Sequence, residues 1–288
     1  MRGLAIFLLA VLSGFRMAGA VIVQGGDGSQ NVTADGAGGG WDYVGSVGGA
    51  SGVYLGETNG AFWVLTAVHV GAGSFTLNGI TYGMVAGSAV TLSGNADLVL
   101  FRIDANPGLA PLDIASSTPV IGTTLTMIGY GVGREAEPTR WTQDWHETNS
   151  VGAYQGYKWS GPSIKRWGTN TVSGFGSGGS VLTTTFYTTF GMGTAQATLG
   201  DSGGGVFLAD GTLTGLVIAV QGMNGQPSGT SLFGAMSGTA NRTQIADLSV
   251  YRSEILGIMN SAVIPEPQTE VLVLVSGVLL FVAMRRRG

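Results

Sequence analysis

The sequence predicts an all-β fold, and three observations carry that prediction. Short runs rich in valine, leucine, threonine and aromatic residues, such as 62–67 and 213–220, are separated by clusters of Gly, Asn, Asp and Ser. Apolar residues at helical spacing are almost absent outside one segment near the end of the chain. Glycine is unusually abundant, at 51 of 288 residues, which suits turns and closely packed strands and weakens helices. A chain of this length buries a sizeable core as one large or two small domains. Only 10% of residues are charged and the net charge is −4. The few Lys and Arg are scattered apart from one terminal cluster, so no nucleic-acid surface is expected. There are no cysteines and only two histidines, His69 and His146, so no Cys/His metal cluster and no disulfide framework are expected. No cofactor is implied.

Taken in order, residues 1–20 read as an export signal. Arg2 gives a positive start, 4–12 is apolar, and Ala18-Gly19-Ala20 is a small-residue cleavage site. A cut after Ala20 makes Val21 the new start. Residues 21–40 are glycine-rich without apolar periodicity and read as a loose lead-in. Residues 41–260 read as the main domain. Its first half carries candidate strands at 52–55, 62–67 and 98–103; its second half, from about Thr123, carries them at 181–190, 205–207 and 213–220. The stretch 134–179 holds Trp141, Trp145, Trp159, Trp167 and His146. The reading preferred for it is strands and loops with the tryptophans as packing, over an exposed loop shaping a cleft. His146, between Trp145 and Glu147, reads as a solvated loop residue. Asp247 is placed to cap a helix over 249–259, with Leu248, Tyr251, Ile255, Leu256 and Met259 on one face. Residues 261–288 form a tail: Pro265-Glu266-Pro267, an apolar run over 271–284, then Arg285-Arg286-Arg287. As a helix that run spans about 21 Å, short of the roughly 30 Å of a hydrocarbon core.

Three stretches carry chemistry: Leu65-Thr66-Ala67-Val68-His69, Asp97-Leu98-Val99-Leu100 and Gly200-Asp201-Ser202-Gly203-Gly204. A serine hydroxyl is a poor nucleophile near neutral pH. It needs an imidazole to accept its proton and a carboxylate to hold that imidazole in the right tautomer. The three stretches supply one of each, with glycines that let backbone N–H groups face a developing oxyanion. Together, and in this order, they resemble the trypsin-like (chymotrypsin-family) serine proteases. The tail is similar to PEP-CTERM sorting tails of Gram-negative bacteria, with a simple C-terminal membrane anchor as the alternative.

The resemblance implies two six-stranded antiparallel β-barrels with a closing helix and an active site between the barrels. It implies Ser202 as nucleophile, His69 as general base and Asp97 as its orienting carboxylate, with Asp104 a weaker rival. The N–H groups of Gly200 and Ser202 correspond to the oxyanion hole. Gln196 corresponds to the floor of the primary pocket, and Ile218 and Val220 lie in the wall segment. In the family, the equivalent of Asp201 is held by a free α-amino group made by cleavage, and Val21 is the candidate here. The implied function is an exported serine endopeptidase acting on protein or peptide substrates. It would be processed by a signal peptidase and an exosortase-type enzyme, membrane-anchored transiently, and delivered to the surface or extracellular matrix. A non-catalytic surface or matrix protein on the same fold is the alternative. An esterase or lipase fits poorly, because Gly203 directly follows the serine and no βαβ pattern is present.

Overall fold

The computed structural model describes residues 21–94, 96–176, 179–186, 194–234 and 240–261. The expected export signal, the Pro265-Glu266-Pro267 tail with its apolar run, and the end of the candidate strand 181–190 lie outside the described residues. Among those described, no helix is long and apolar enough to cross a membrane.

The first half contains β1 (Ile22–Val23), a 3-10 helix (Gly38–Tyr43), β2 (Val44–Val47), β3 (Ala50–Thr58), β4 (Ala61–Thr66), β5 (Phe75–Leu77), β6 (Ile80–Tyr82), β7 (Val90–Thr91) and β8 (Val99–Ile103). Seven of these form one antiparallel sheet in the order β6-β5-β2-β3-β4-β8-β7. The second half contains β9 (Thr124–Gly129), β10 (Gly133–Arg134), β11 (Thr139–Trp141), β12 (Tyr154–Ser160), β13 (Arg166–Phe175), β14 (Val181–Thr185), β15 (Ala195–Gln196), β16 (Gly205–Phe207), β17 (Leu213–Gln221), β18 (Thr230–Phe233), β19 (Arg242–Asp247) and the helix α1 (Leu248–Ser261). Six of these close a barrel in the order β13-β14-β19-β17-β16-β9, while β10, β11, β12 and β18 form a separate four-stranded sheet.

The all-β class holds, but only one of the two expected barrels closes by hydrogen bonds. In the first half β6 and β7 remain as edges, because the strands that would meet there are only two and three residues long. Burial follows the pattern that picked out the strands. Val53, Leu55, Leu65, Leu98 and Leu100 join Leu213, Leu216 and Ile255 in one core spanning sheet, barrel and helix. Asp247 caps α1 as expected, its Oδ1 accepting from the Ser249 N–H at 3.0 Å. On the helix face Ile258 packs against the core alongside Tyr251, Ile255 and Met259, where Leu256 was expected.

The tryptophan-rich stretch is packed strand and loop. Trp141 is buried, Trp159 Nε1 donates to Ser231 Oγ at 2.8 Å, and Trp145 stacks on Tyr154. His146 is exposed.

Residues 21–40 are not loose. β1 pairs with β15, and the chain after it is pinned by two buried arginines. Arg134 donates to the carbonyls of Val23, Gly25 and Gly26 and rests on the Tyr157 ring. Arg166 donates to the Gly28 carbonyl and the Asn31 Oδ1, and Asn31 Nδ2 donates to the Val21 and Trp167 carbonyls. Glycine-rich backbone offers no apolar face, so the pattern that finds strands could not register this docking. Here side-chain donors bind backbone acceptors instead, and they bring Val21 to the barrel.

Candidate active site

β4 ends at Thr66, three residues before His69, and β8 begins at Val99, two after Asp97; their pairing of Thr66 with Val99 brings the two side chains together. Asp97 Oδ2 lies 2.5 Å from His69 Nδ1, and its Oδ1 accepts from the His69 N–H at 3.1 Å. Its own carbonyl accepts from the Val68 N–H. The carboxylate is therefore held by the His69 N–H and the main chain of Asp97 by the Val68 N–H, and Nε2 is the imidazole nitrogen that Asp97 leaves free. The pair is open to solvent, with the His69 side chain 49% exposed and that of Asp97 32%. Asp104 is elsewhere: its Oδ1 accepts from the Gly83 N–H and its own N–H donates to the Gly83 carbonyl.

The serine turn lies on the seam between sheet and barrel. Ser51 N–H donates to the Ser202 carbonyl at 2.9 Å, and Ser51 Oγ donates to the Gly200 carbonyl at 2.8 Å. The same hydroxyl accepts from the Tyr130 N–H, and the Ser51 carbonyl accepts from Thr66 Oγ1. One serine on β3 thus links the turn to β4, which leads to His69, and to the chain leaving β9. Gly203 has φ +83°, and a Cβ there would stand 2.0 Å from the Ser51 oxygen. Gly200 has φ +94°, with a Cβ 2.9 Å from the Gly131 Cα. Both positions exclude side chains because the turn is pressed against backbone.

Within the turn, Asp201, Gly203 and Gly204 donate their N–H groups to Thr198, Val217 and Asp201. The N–H groups of Gly200 and Ser202 make no hydrogen bond among the described residues, leaving the donors on either side of Asp201 unspent, with Ser202 half-buried. Among those residues, too, no hydrogen bond joins Ser202 Oγ to His69. No group of three or more His, Asp or Glu that could hold a metal ion occurs among them.

Asp201 turns inward and is fully buried. It accepts from the N–H groups of Val21 at 3.0 Å, Gly131 at 2.9 Å and Thr198 at 2.7 Å, and from Thr198 Oγ1 at 3.2 Å. Burial pushes its carboxyl up to about 6, against the hydrogen bonds that pull it down. The remaining expected site residues lie on β15, which pairs with β1, and on β17 of the barrel. Gln196 on β15 is completely enclosed, and Ile218 and Val220 are half-buried on β17. Sequence reasoning missed Ser51, Thr198, Arg134 and Arg166. Each acts through polar contacts, most of them to backbone groups far away in the sequence, which leave no periodicity or motif behind.

A family model for the trypsin-like peptidase domain matches residues 50–216, more than half of the chain. The chain belongs to this family. Two solved mutants of human heparin binding protein (CAP37) share the fold. They align with TM-scores of 0.51 and 0.52 at 16% and 17% identity, covering 79% of this chain and 95% and 94% of theirs. Mouse neuropsin, described as a serine protease expressed in the limbic system, aligns at 15% identity over 76% of this chain and 95% of its own, with a TM-score of 0.49. A search of curated protein sequences finds no match.

Asp201 makes stability depend on pH. Its folded value of about 6 lies above the 3.8 of an ordinary aspartate, so between these values the folded chain holds a proton that the unfolded chain has released. With Val21 still in peptide linkage, stability should therefore fall as pH rises from about 4 to about 6. A chain that begins at Val21 carries an ammonium at the same place and should show little or no such fall. Urea denaturation of the two chains at pH 4, 5, 6 and 7 measures the difference.

Proposed function

We propose that this chain is an exported serine endopeptidase. The observation that carries the reading is the His69–Asp97 pair at 2.5 Å, with a serine turn that holds two unspent N–H donors tied through Ser51 to Thr66, three residues before His69. In the proposed mechanism Ser202 Oγ attacks the carbonyl carbon of a peptide bond and passes its proton to His69 Nε2. Asp97 keeps the Nδ1 proton in place and stabilises the imidazolium. The carbonyl oxygen becomes an oxyanion facing the Gly200 and Ser202 N–H groups. His69 then gives the proton to the leaving amine, and the acyl-serine is released by a water that His69 activates in the same way. Family membership supports a hydrolase. The other reading, a binding protein without catalysis, has a precedent for the fold in a structure named for binding heparin. It leaves the fixed Asp97 carboxylate without a task.

Export supplies the switch in this proposal. Val21 is β-branched and sits at φ +36°, a conformation that costs about 1–3 kcal/mol while residue 20 is attached. Cutting after Ala20 removes that constraint and turns the Val21 N–H into an ammonium 3.0 Å from the Asp201 carboxylate. The docked segment held by Arg134 and Arg166 supports this, because it presents Val21 to Asp201 before any cut. Signal cleavage would then be the activating step, with no separate propeptide. The C-terminal sequence supports a sorting tail: an exosortase-type enzyme would cut near Pro265-Glu266-Pro267 and release the protein to the surface or matrix.

Two measurements test these readings. Ser202→Ala and His69→Ala should each lower turnover of a casein-type substrate by several orders of magnitude without unfolding the chain, and Asp97→Asn by about 10⁴-fold. Equal turnover by Ser202→Ala would remove the assignment. Intact mass of protein from the native host should show a species beginning at Val21 and ending near Pro267. A species that retains Arg285-Arg286-Arg287 and fractionates with the inner membrane would leave only the simple anchor.

A further inference from the structure

Between the two unspent donors of the serine turn lies one peptide group, and a side chain holds it. The Gly200 and Ser202 N–H groups belong to the peptides 199–200 and 201–202. A trans peptide points its N–H and C=O in opposite directions, so each donor is aimed by whatever holds the carbonyl behind it. Backbone does this for both: Val132 N–H donates to the Leu199 carbonyl and Gly204 N–H to that of Asp201, each at 2.8 Å. The peptide 200–201 between them sets the angle from one donor to the other. Its N–H donates to the Thr198 carbonyl, and its own carbonyl, that of Gly200, accepts from Ser51 Oγ at 2.8 Å. Gly200 has φ +94° and no Cβ to limit rotation of this middle peptide.

Ser51 is fully buried on β3. Its hydroxyl accepts from the Tyr130 N–H at 2.8 Å, which leaves its proton for the Gly200 carbonyl. Tyr130, Gly131 and Val132 thus spend three successive N–H groups on the serine turn. The first reaches the Gly200 carbonyl through Ser51, the second reaches Asp201 Oδ1 at 2.9 Å, and the third reaches the Leu199 carbonyl. Only the first is relayed by a hydroxyl, and that hydroxyl comes from the other half of the fold. The backbone of Ser51 is bound separately: its N–H donates to the Ser202 carbonyl, and its carbonyl accepts from Thr66 Oγ1, three residues before His69. Ser51→Ala therefore removes the bridge alone.

We propose that Ser51 is a positioning residue, its hydroxyl holding the Gly200 and Ser202 N–H groups at the angle an oxyanion requires and in register with His69. This rests on the peptidase reading above. Such donors contribute because they are aimed before charge develops, and a misplacement of about 1 Å can cost about 10²-fold. Without the hydroxyl, the Gly200 carbonyl and the Tyr130 N–H both lose their partner. Rotation of the middle peptide then brings the two together and changes the angle between the oxyanion donors.

The experiment uses chains that begin at Val21 and a single peptide substrate. Ser51→Ala should lower kcat at least tenfold and leave KM within about threefold, the pattern of an interaction made only in the transition state. A peptide aldehyde, whose adduct with Ser202 places its oxygen at the same donors, should lose affinity by a similar factor. Ser51→Cys fills the space with a weak donor and should show the same loss, so the test does not depend on alanine folding. Ser51→Thr keeps the hydroxyl and should recover kcat to within about threefold of native. Native kcat in Ser51→Ala, measured well below a lowered Tm, would make the residue structural only and overturn the proposal. A loss confined to KM, or a folded Ser51→Thr chain no faster than Ser51→Ala, would overturn it too.

A second measurement needs no substrate. In Ser51→Ala the NMR amide signals of Gly200 and Ser202 should move, while those of His69 and Asp97 stay. Unmoved Gly200 and Ser202 signals overturn the proposal whatever the activity. Moved signals, in a protein whose native form cleaves no peptide, would leave the positioning in place and count against the peptidase reading alone.

Discussion

A single buried carboxylate connects the parts of this molecule that matter for its chemistry. Asp201 lies next to Ser202 but turns the other way, into the barrel, where it gathers N–H groups from Val21, Gly131 and Thr198. An unpaired carboxylate in such a place would be costly, so these donors and the carboxylate fix one another. Gly131 follows β9, Thr198 opens the serine turn and Val21 begins the docked N-terminal segment. The conformation that leaves the Gly200 and Ser202 N–H groups free is therefore set by contacts on the far side of the turn. The raised value of Asp201 is the sign that three amide dipoles and a hydroxyl do not fully offset its burial.

Ser51 does for the front of the turn what Asp201 does for the back. It holds the Ser202 and Gly200 carbonyls, and through Tyr130 and Thr66 it ties them to both halves of the fold. The His69–Asp97 pair belongs entirely to the first sheet, and the serine turn enters from the barrel. Their relative position is thus a property of the seam, which explains why glycine is required at 203, where any Cβ would strike Ser51.

Much of this was legible in the sequence, for a physical reason in each case. Strands β3, β4, β8, β14, β16 and β17 fall in runs of valine, leucine, threonine and aromatic residues bounded by turn residues, and α1 has both a cap and an apolar face. The site stretches were legible because nucleophile, base and orienting carboxylate demand particular residue types. Three things were not legible. Closure of a barrel depends on whether short edge strands meet, and β6 and β7 carry no signal that they stay apart. Docking of 21–37 depends on Arg134 and Arg166, which look like ordinary surface charges. Gln196 was expected at an open pocket floor, but it is enclosed, and the sequence does not show that Thr243, more than 40 residues later, accepts from the N–H of the next residue, Ala197.

The central claim is that Asp201 couples the docked N-terminus to a reactive Ser202. The measurement that reaches it most directly is the rate at which a fluorophosphonate probe modifies Ser202, with the site located by peptide mass mapping. In a chain beginning at Val21, modification should fall on Ser202 alone. With Gly19 and Ala20 retained, the rate should drop at least tenfold, and the difference should disappear in an Asp201→Asn background. Modification at another serine, or equal rates at Ser202 whether or not the chain begins at Val21, would contradict the account.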